Sequence, residues 1–522
     1  MKSLTDDFVA IVGEENLFHG EDAVAPYATD VYRAKEMPRA VLRPPTVDKL
    51  QQVVALCARE SISFTIRGGG ASYTDGYNTI DPLDVVIDTS RLNQIVDINV
   101  KGGYVVVEAG VTWAALADAL EQHGLRTPFR GPFSGLKATV GASMSQNSIS
   151  HGSGGYGISA ESALSFDIIQ ADGTMLRTGS GAFGETGFAR FCGPDLTGLF
   201  TGDGGALGVK ARIVLPLIAA RKAHKVVSFS FPDFASMHES MRRIAIERIE
   251  ESHFALDAAL SQGQIARQDR AGGALKMALS VLRSSPSLLA GAKQVAAAGL
   301  LARGQIKNSA FMTHYIVEGF DDGECKSKLH RLRELVQGLG REITATVPAV
   351  VRSMPFAPFY NVLGPQGERW VPLHGILPHH QASPFHEALE SFYAERETEM
   401  KRLGVWSGGM FSTVGSSGFL YEIALYWPDE QTAYHTANVP EEYLGQLPKF
   451  AKNLEAREYV EQLKSGLITL YDDFGAIHFQ LGRAYPYADR LEQPARDLVG
   501  SIKTALDPDM RVGPGLLGLT KA

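Results

Sequence analysis

The chain has 522 residues, 44% of them hydrophobic and 21% charged, which suits roughly two to three domains with cores of their own. Its net charge of −8 argues against non-specific nucleic-acid binding, which needs a basic surface to displace counterions. The start MKSLTDDFVAIVGEEN puts acids where a secretory signal needs an apolar core, and no later run reaches the ~18 apolar residues of a membrane span. Cys57, Cys192 and Cys325 lie far apart without a CxxC pair, so neither a disulfide framework nor a zinc site is expected. These features predict a cytoplasmic protein with no integral membrane segment and no nucleic-acid partner.

Residues 1–40 read as a helical lead with an acidic face, ending near Met37-Pro38. From Ala40 the pattern gives a strand, a Pro44-Pro45 break, and a helix opened by Thr46 as N-cap, with Leu50, Val53, Val54 and Cys57 on its apolar face. A second strand leads into FTIRGGGASYTD, Phe64 to Asp75. Three consecutive glycines after a basic residue can present bare backbone N–H groups to an anion. The same triplet also reads as an ordinary tight turn. Two β-rich runs follow, with Gly102-Gly103 at hairpin spacing, and Thr112 opens another helix.

A second glycine-rich block, TVGASMSQNSISHGSGGYG, runs from Thr139 to Gly157. Its glycine and hydroxyl content predicts no stable helix and suits backbone wrapped round a polar ligand. A hairpin turning at Asp172-Gly173 comes next, then a short helix, a third glycine cluster (Gly202, Gly204, Gly205, Gly208) and a strong strand.

The ordered blocks RGGG, DVVIDTSRLNQIVDIN, VVVEAGVTWAALADAL, TVGASMSQN, DIIQADGTMLRTG and DLTGLFTGDGGALGV, across residues 38–220, resemble the flavin domain of the vanillyl-alcohol oxidase and p-cresol methylhydroxylase superfamily. No strand-GxGxxG-helix unit is present, so a tightly held NAD(P) is not expected. The resemblance implies an α+β protein: a PCMH-type FAD-binding domain of two α+β subdomains over residues 1–220, then a ferredoxin-like α+β substrate-capping domain over 221–450. It further implies that 451–522 return to the FAD domain and contribute to the active site. A helical insertion is expected near 260–305, where the chain is rich in alanine, leucine and arginine. FAD is the implied cofactor. Arg67, Gly68, Gly69, Gly70, Ala71 and Ser72 would meet its pyrophosphate, and Thr139, Gly141 and Ser145 its ribityl and ring side. Gly155, Gly157 and Ile158 would follow along it, and Gly205, Gly208 and Val209 would close over it. Some relatives carry a flavin-linking histidine after the triple glycine. Here that position is Ala71, which has no nucleophile.

The implied activity is that of an FAD-dependent oxidoreductase taking a hydride from a hydroxyl-bearing carbon of a small alcohol, aromatic or not, and passing electrons to oxygen or a redox carrier. A 2-hydroxy-acid dehydrogenase and a non-catalytic flavoprotein subunit are the alternatives, and a homodimer is left open. By the resemblance, Ile477 and His478 stand where the vanillyl-alcohol branch has a tyrosine and an arginine, and the place of its aspartate falls near Ser134. The metal motif of the 2-hydroxy-acid branch is missing, and His374, His379 and His380 lack spaced partners, so no metal is expected. His478 and His151 are the candidate bases, each also readable as structural. Arg483 could hold a carboxylate or phenolate, stabilise reduced flavin, or form a structural ion pair. Tyr421 and Tyr426 fall near positions used for covalent flavin attachment; both also read as packed strand residues. Tyr421 alternates onto one face with Ile423, Leu425 and Trp427, and Tyr426 onto the other with Glu422 and Ala424.

Overall fold

A computed structural model describes residues 4–263 and 309–520. The chain divides into two compact units, one of Met1–Ile149, Ile158–Ala220 and Phe479–Ala522, the other of Ser150–Gly157 and Arg221–His478. The expected C-terminal segment therefore begins later than residue 451: helix Leu454–Asp473 belongs to the second unit. The expected insertion near 260–305 lies, from residue 264 onward, outside the described residues.

The first unit is α+β. Strands Ala40–Leu42, Val85–Asp88 and Phe64–Arg67 pair in parallel, with Leu17–Phe18 antiparallel at the edge. Parallel neighbours require a crossover, and helix Val47–Arg59 supplies it. Thr46 caps that helix by accepting the Lys49 N–H at 3.2 Å, and Leu50, Val53, Val54 and Cys57 are fully buried beneath it. A second, antiparallel sheet runs in the order Ile95–Asn99, Tyr104–Glu108, Val209–Pro216, Ser165–Ile169, Met175–Arg177. Its outer pairs are the hairpins turning at Gly102-Gly103 and Asp172-Gly173. Phe64, Ile87 and Val209 share one core, which joins the two sheets.

The second glycine block departs from expectation. Val140–Gln146 is helical, with Thr139 accepting the Ala142 N–H and Asn147 ending it in the left-handed conformation. Packing overrides the poor propensity of Gly141, whose N–H donates to Ala109 O at 2.9 Å and whose missing side chain leaves room for that approach.

The second unit is built on a seven-stranded antiparallel sheet, ordered Arg341–Ile343, Ala223–Phe231, Phe311–Gly319, Ser252–Asp257, Trp406–Val414, Gly418–Trp427, Arg369–Pro378. The two strand-then-helix repeats appear as Ala223–Phe231 with Phe234–Glu247 and Phe311–Gly319 with Asp322–Val336. Aromatic packing fixes one face of the sheet under helices: Phe234 stacks on His386 at 4.2 Å, and Phe385 stacks on Tyr471 at 4.6 Å and meets Tyr421 edge-on.

Candidate active site

In the first unit the glycine clusters converge with the C-terminal segment. The triple-glycine loop lies against the chain entering helix Val140–Gln146 so closely that a Cβ on Gly69 would sit 1.7 Å from the Lys137 carbonyl oxygen. Gly70 takes φ +68°, and its carbonyl accepts the Tyr77 hydroxyl at 3.2 Å. The far end of the same helix joins the third cluster through Gly202 N–H to Met144 O and Gly204 N–H to Ser145 O, both 2.9 Å. Asp203 holds that cluster by accepting from Gly205 N–H and from buried Lys210 at 2.7 Å. Gln480 N–H then bonds Gln146 O, and Arg483 N–H bonds Thr74 O, each at 3.0 Å. A Cβ on Gly482 would fall 2.0 Å from Thr74 O. The result is a wall of closely apposed backbone, which suits an extended polar ligand carrying phosphates.

The side chains around this wall are mostly occupied in building it. The Arg67 guanidinium pairs with Asp88 at 2.8 Å and lies over the Tyr27 ring at 4.8 Å. Arg483 donates twice to Pro514 O (2.9 and 2.7 Å) and to the carbonyls of Asp75 (2.8 Å) and Asn78 (3.0 Å). Of the roles left open for it, the structural one accounts for these bonds; burial lowers its pKa, against the pull of Asp75 and Asp84. Ala71 and Ser72 follow the loop, and Ser72 shares a hydroxyl contact with Thr74 at 3.1 Å. Ile158 N–H is taken by the Glu161 carboxylate at 3.2 Å. Gly208 packs on Ile168, and the Val209 side chain turns into the core, so only its backbone is available to a ligand.

The remaining expected site residues belong to the second unit. Gly155 O accepts from Arg248 at 2.8 Å, and Gly157 has φ +82°. His151 Nε2 faces Pro355 O at 2.7 Å, which puts the proton on Nε2 and the lone pair of the neutral ring on Nδ1. The buried His478 presents Nδ1 to His374 O at 2.9 Å and Nε2 to Asp472 at 3.1 Å. Both nitrogens thus face hydrogen-bond acceptors. Tyr421 hydrogen-bonds His386 at 2.9 Å under the helices, where burial raises its pKa well above the usual value. Tyr426 stacks on Trp406 at 4.0 Å on the opposite face. Both tyrosines fill the packed-strand role.

That opposite face has a chemistry of its own. Leu256, Leu260, Ala424 and Tyr426 cluster there with the partly buried Phe254, Trp370, Trp406 and Met410. In their midst Glu422 stands directly across from His374 on one neighbouring strand and Met410 on the other. Sequence reasoning placed Glu422 on this face but assigned it no role; an acid within an otherwise apolar strand was the available signal. Among the described residues no group of three or more His, Cys, Asp or Glu could hold a metal ion, and no helix is long and apolar enough to cross a membrane.

Residues 38–179 match a family described as an FAD binding domain. The glycolate oxidase subunit GlcD of Escherichia coli K12 is 27% identical over 218 residues, covering 41% of this chain and 42% of that protein. The flavoprotein subunit of 4-cresol dehydrogenase (hydroxylating) from Pseudomonas putida is 29% identical over 206 residues, 37% of this chain and 38% of that one. The aligned region is thus less than half the length of either relative. The crystal structure of p-cresol methylhydroxylase with substrate bound superposes with a TM-score of 0.73 at 17% identity, covering 98% of this chain and 96% of that one. The PCMH-type fold is therefore shared.

The backbone wall fits FAD by an observation independent of these likenesses. Gly69 and Gly482 occupy places where any side chain would collide with a carbonyl, so the apposition of the three clusters depends on glycine there. Arg67–Ser72, Thr139, Gly141, Ser145 and Gly205 lie on the segments that would hold the cofactor.

Proposed function

We propose that the protein is an FAD-dependent oxidoreductase that oxidises the hydroxyl-bearing carbon of a small, uncharged, aromatic-type alcohol. The observation that carries the substrate class is the composition of the sheet face around Glu422. On the four strands Ser252–Asp257, Trp406–Val414, Gly418–Trp427 and Arg369–Pro378, the positions sharing that face hold aromatic, aliphatic and small residues together with Glu422 and His374, and none is lysine or arginine. A 2-hydroxy acid needs a cation for its carboxylate, and here it would meet a carboxylate instead. Arg483, the arginine expected to serve, has its bonds directed to backbone carbonyls. An aromatic ring would instead gain apolar contact with Trp370, Trp406, Phe254 and Met410.

When bound, FAD supplies a two-electron acceptor that takes a hydride from carbon. The protein's share is to hold the cofactor on its backbone wall, orient the substrate ring, keep water from it, and receive the hydroxyl proton. Stopped-flow flavin bleaching under anaerobic conditions tests the reading. Benzyl alcohol and 4-hydroxybenzyl alcohol are set against lactate, glycolate and 2-hydroxyglutarate. Reduction by the aromatic compounds is expected; reduction by the hydroxy acids alone would replace this reading with the 2-hydroxy-acid one. No reduction by any of them would favour a flavoprotein without this activity. Repeating turnover with oxygen and with an artificial acceptor distinguishes oxidase from dehydrogenase.

A further inference from the structure

We propose that Lys503 is a positioning residue for FAD: its ammonium sets the spacing between the third glycine cluster and the strand that feeds the triple-glycine loop. This role holds whichever substrate is oxidised, because every group involved belongs to the first unit.

Lys503 lies near the end of helix Gln493–Leu506, and its side chain is buried. Its Nζ donates to Ala206 O at 2.8 Å, to Val512 O at 2.9 Å and to the Asp507 carboxylate at 2.6 Å, which engages all three of its hydrogens. Ala206 is part of the third cluster, directly after Gly205. Val512 pairs in parallel with Phe64, the first residue of the strand Phe64–Arg67 that runs into the triple glycine. One ammonium therefore joins the backbone of the third cluster to the backbone beside the first. Asp507 stiffens the same junction, since its carboxylate also accepts the N–H groups of Arg511 at 3.0 Å and Val512 at 2.8 Å.

Burial works against the charge on Lys503, and Asp507 and Asp203 favour it. Replacing a buried ion pair by well-packed apolar residues is often neutral or stabilising, so stability alone is a weak reason for this one. What the pair adds is direction. Three donors on one nitrogen specify where two carbonyls stand, which an apolar side chain of the same volume leaves free. A second buried pair acts in the same cluster, where Asp203 accepts from Gly205 N–H at 3.1 Å and from Lys210 at 2.7 Å. Gly205 thus lies in sequence between two anchored positions, Asp203 and Ala206. A ligand held by backbone binds tightly when that backbone is already in place, because ordering it on binding subtracts from affinity. Lys503, with every hydrogen engaged by protein, acts through that order.

The test uses the full chain purified with its FAD. Release of FAD after dilution is followed as the rise in flavin fluorescence, and local order by amide hydrogen exchange in peptides covering residues 202–208 and 509–513. Lys503→Met keeps the side-chain length and removes all three donors. It should release FAD at least ~10-fold faster than wild type, change the visible circular dichroism of the flavin, and exchange faster in both peptides. Phe8→Leu serves as the control for general stability, since Phe8 is buried on helix Leu4–Val12 in the core of the same unit. It should unfold at lower urea yet release FAD within about threefold of wild type. Wild-type release and flavin dichroism in Lys503→Met would overturn the proposal. Equal acceleration in Lys503→Met and Phe8→Leu would overturn it too, by reducing Lys503 to general stability. Should Lys503→Met fail to fold, exchange in the wild-type chain decides: adding FAD to the stripped protein should slow both peptides together, and protection confined to 202–208 would overturn the coupling.

Discussion

The closest approaches that shape the first unit's glycine wall are made by backbone, whereas the second unit's sheet is distinguished by its side chains. In the wall of the FAD-binding domain, the decisive residues are glycines that let carbonyls and amides approach, and the charged side chains nearby, Arg67 and Arg483, are spent on holding the chain in place. On the sheet face around Glu422, backbone groups are consumed by strand pairing, and the face takes its character from the side chains at alternate positions. A backbone site tolerates little change of shape. A side-chain site can change substrate by changing a few residues on one face.

Four substitutions would break or sharpen that contrast. The largest effect is expected at Arg483: replacing it with alanine leaves the carbonyls of Pro514, Asp75 and Asn78 short of donors and should cost about 3–5 kcal/mol in urea unfolding. Lysine should rescue little, because one ammonium cannot serve both groups of carbonyls in the arginine geometry. Gly69→Ala comes next. Its methyl would meet the Lys137 carbonyl, and a strain of about 1–3 kcal/mol translates to ~10–10²-fold weaker FAD binding, measured as flavin retained on purification and by titration. His478→Gln is smaller, about 1–2 kcal/mol of stability, with flavin reduction by benzyl alcohol staying within about threefold; a ~10²-fold loss would return His478 to the mechanism. Tyr426→Phe is the mildest. Its ring stacking persists, so less than about 1 kcal/mol should be lost. Acid precipitation should release the flavin from wild type and variant alike; colour retained in the wild-type pellet alone would make Tyr426 an attachment point.

The contrast also explains what the sequence revealed. The glycine clusters, the Thr46 and Thr112 caps and the two hairpin turns are local signals, and each appears where the pattern put it. Helix Val140–Gln146 was missed because its support comes from Ala109, thirty or so positions away, which no propensity scale sees. The joining of Thr74 to Gly482 and Arg483 was equally hidden, being a tertiary contact between loops. The strand alternation sorted Tyr421 from Tyr426 and Glu422 correctly. What it could not supply was register, and without register His374 and Met410 could not be set opposite Glu422. The partners of His478, the His374 carbonyl and Asp472, were equally hidden, because a crowded polar sequence names residues without their contacts.

One bond pair has a consequence for the order of events in the cell. Phe64 N–H donates to Arg511 O at 2.9 Å, and Gly513 N–H donates to Phe64 O at 2.8 Å, so the strand that feeds the triple-glycine loop gains its last neighbour from the far end of the chain. At ~5–20 residues per second, a ribosome that has made Phe64 needs roughly 20–90 seconds more to reach Gly513. Throughout that interval the nascent first unit has an unpaired strand edge, open to holding chaperones and to premature association. Completion of this backbone wall therefore waits until residue 513 has been made.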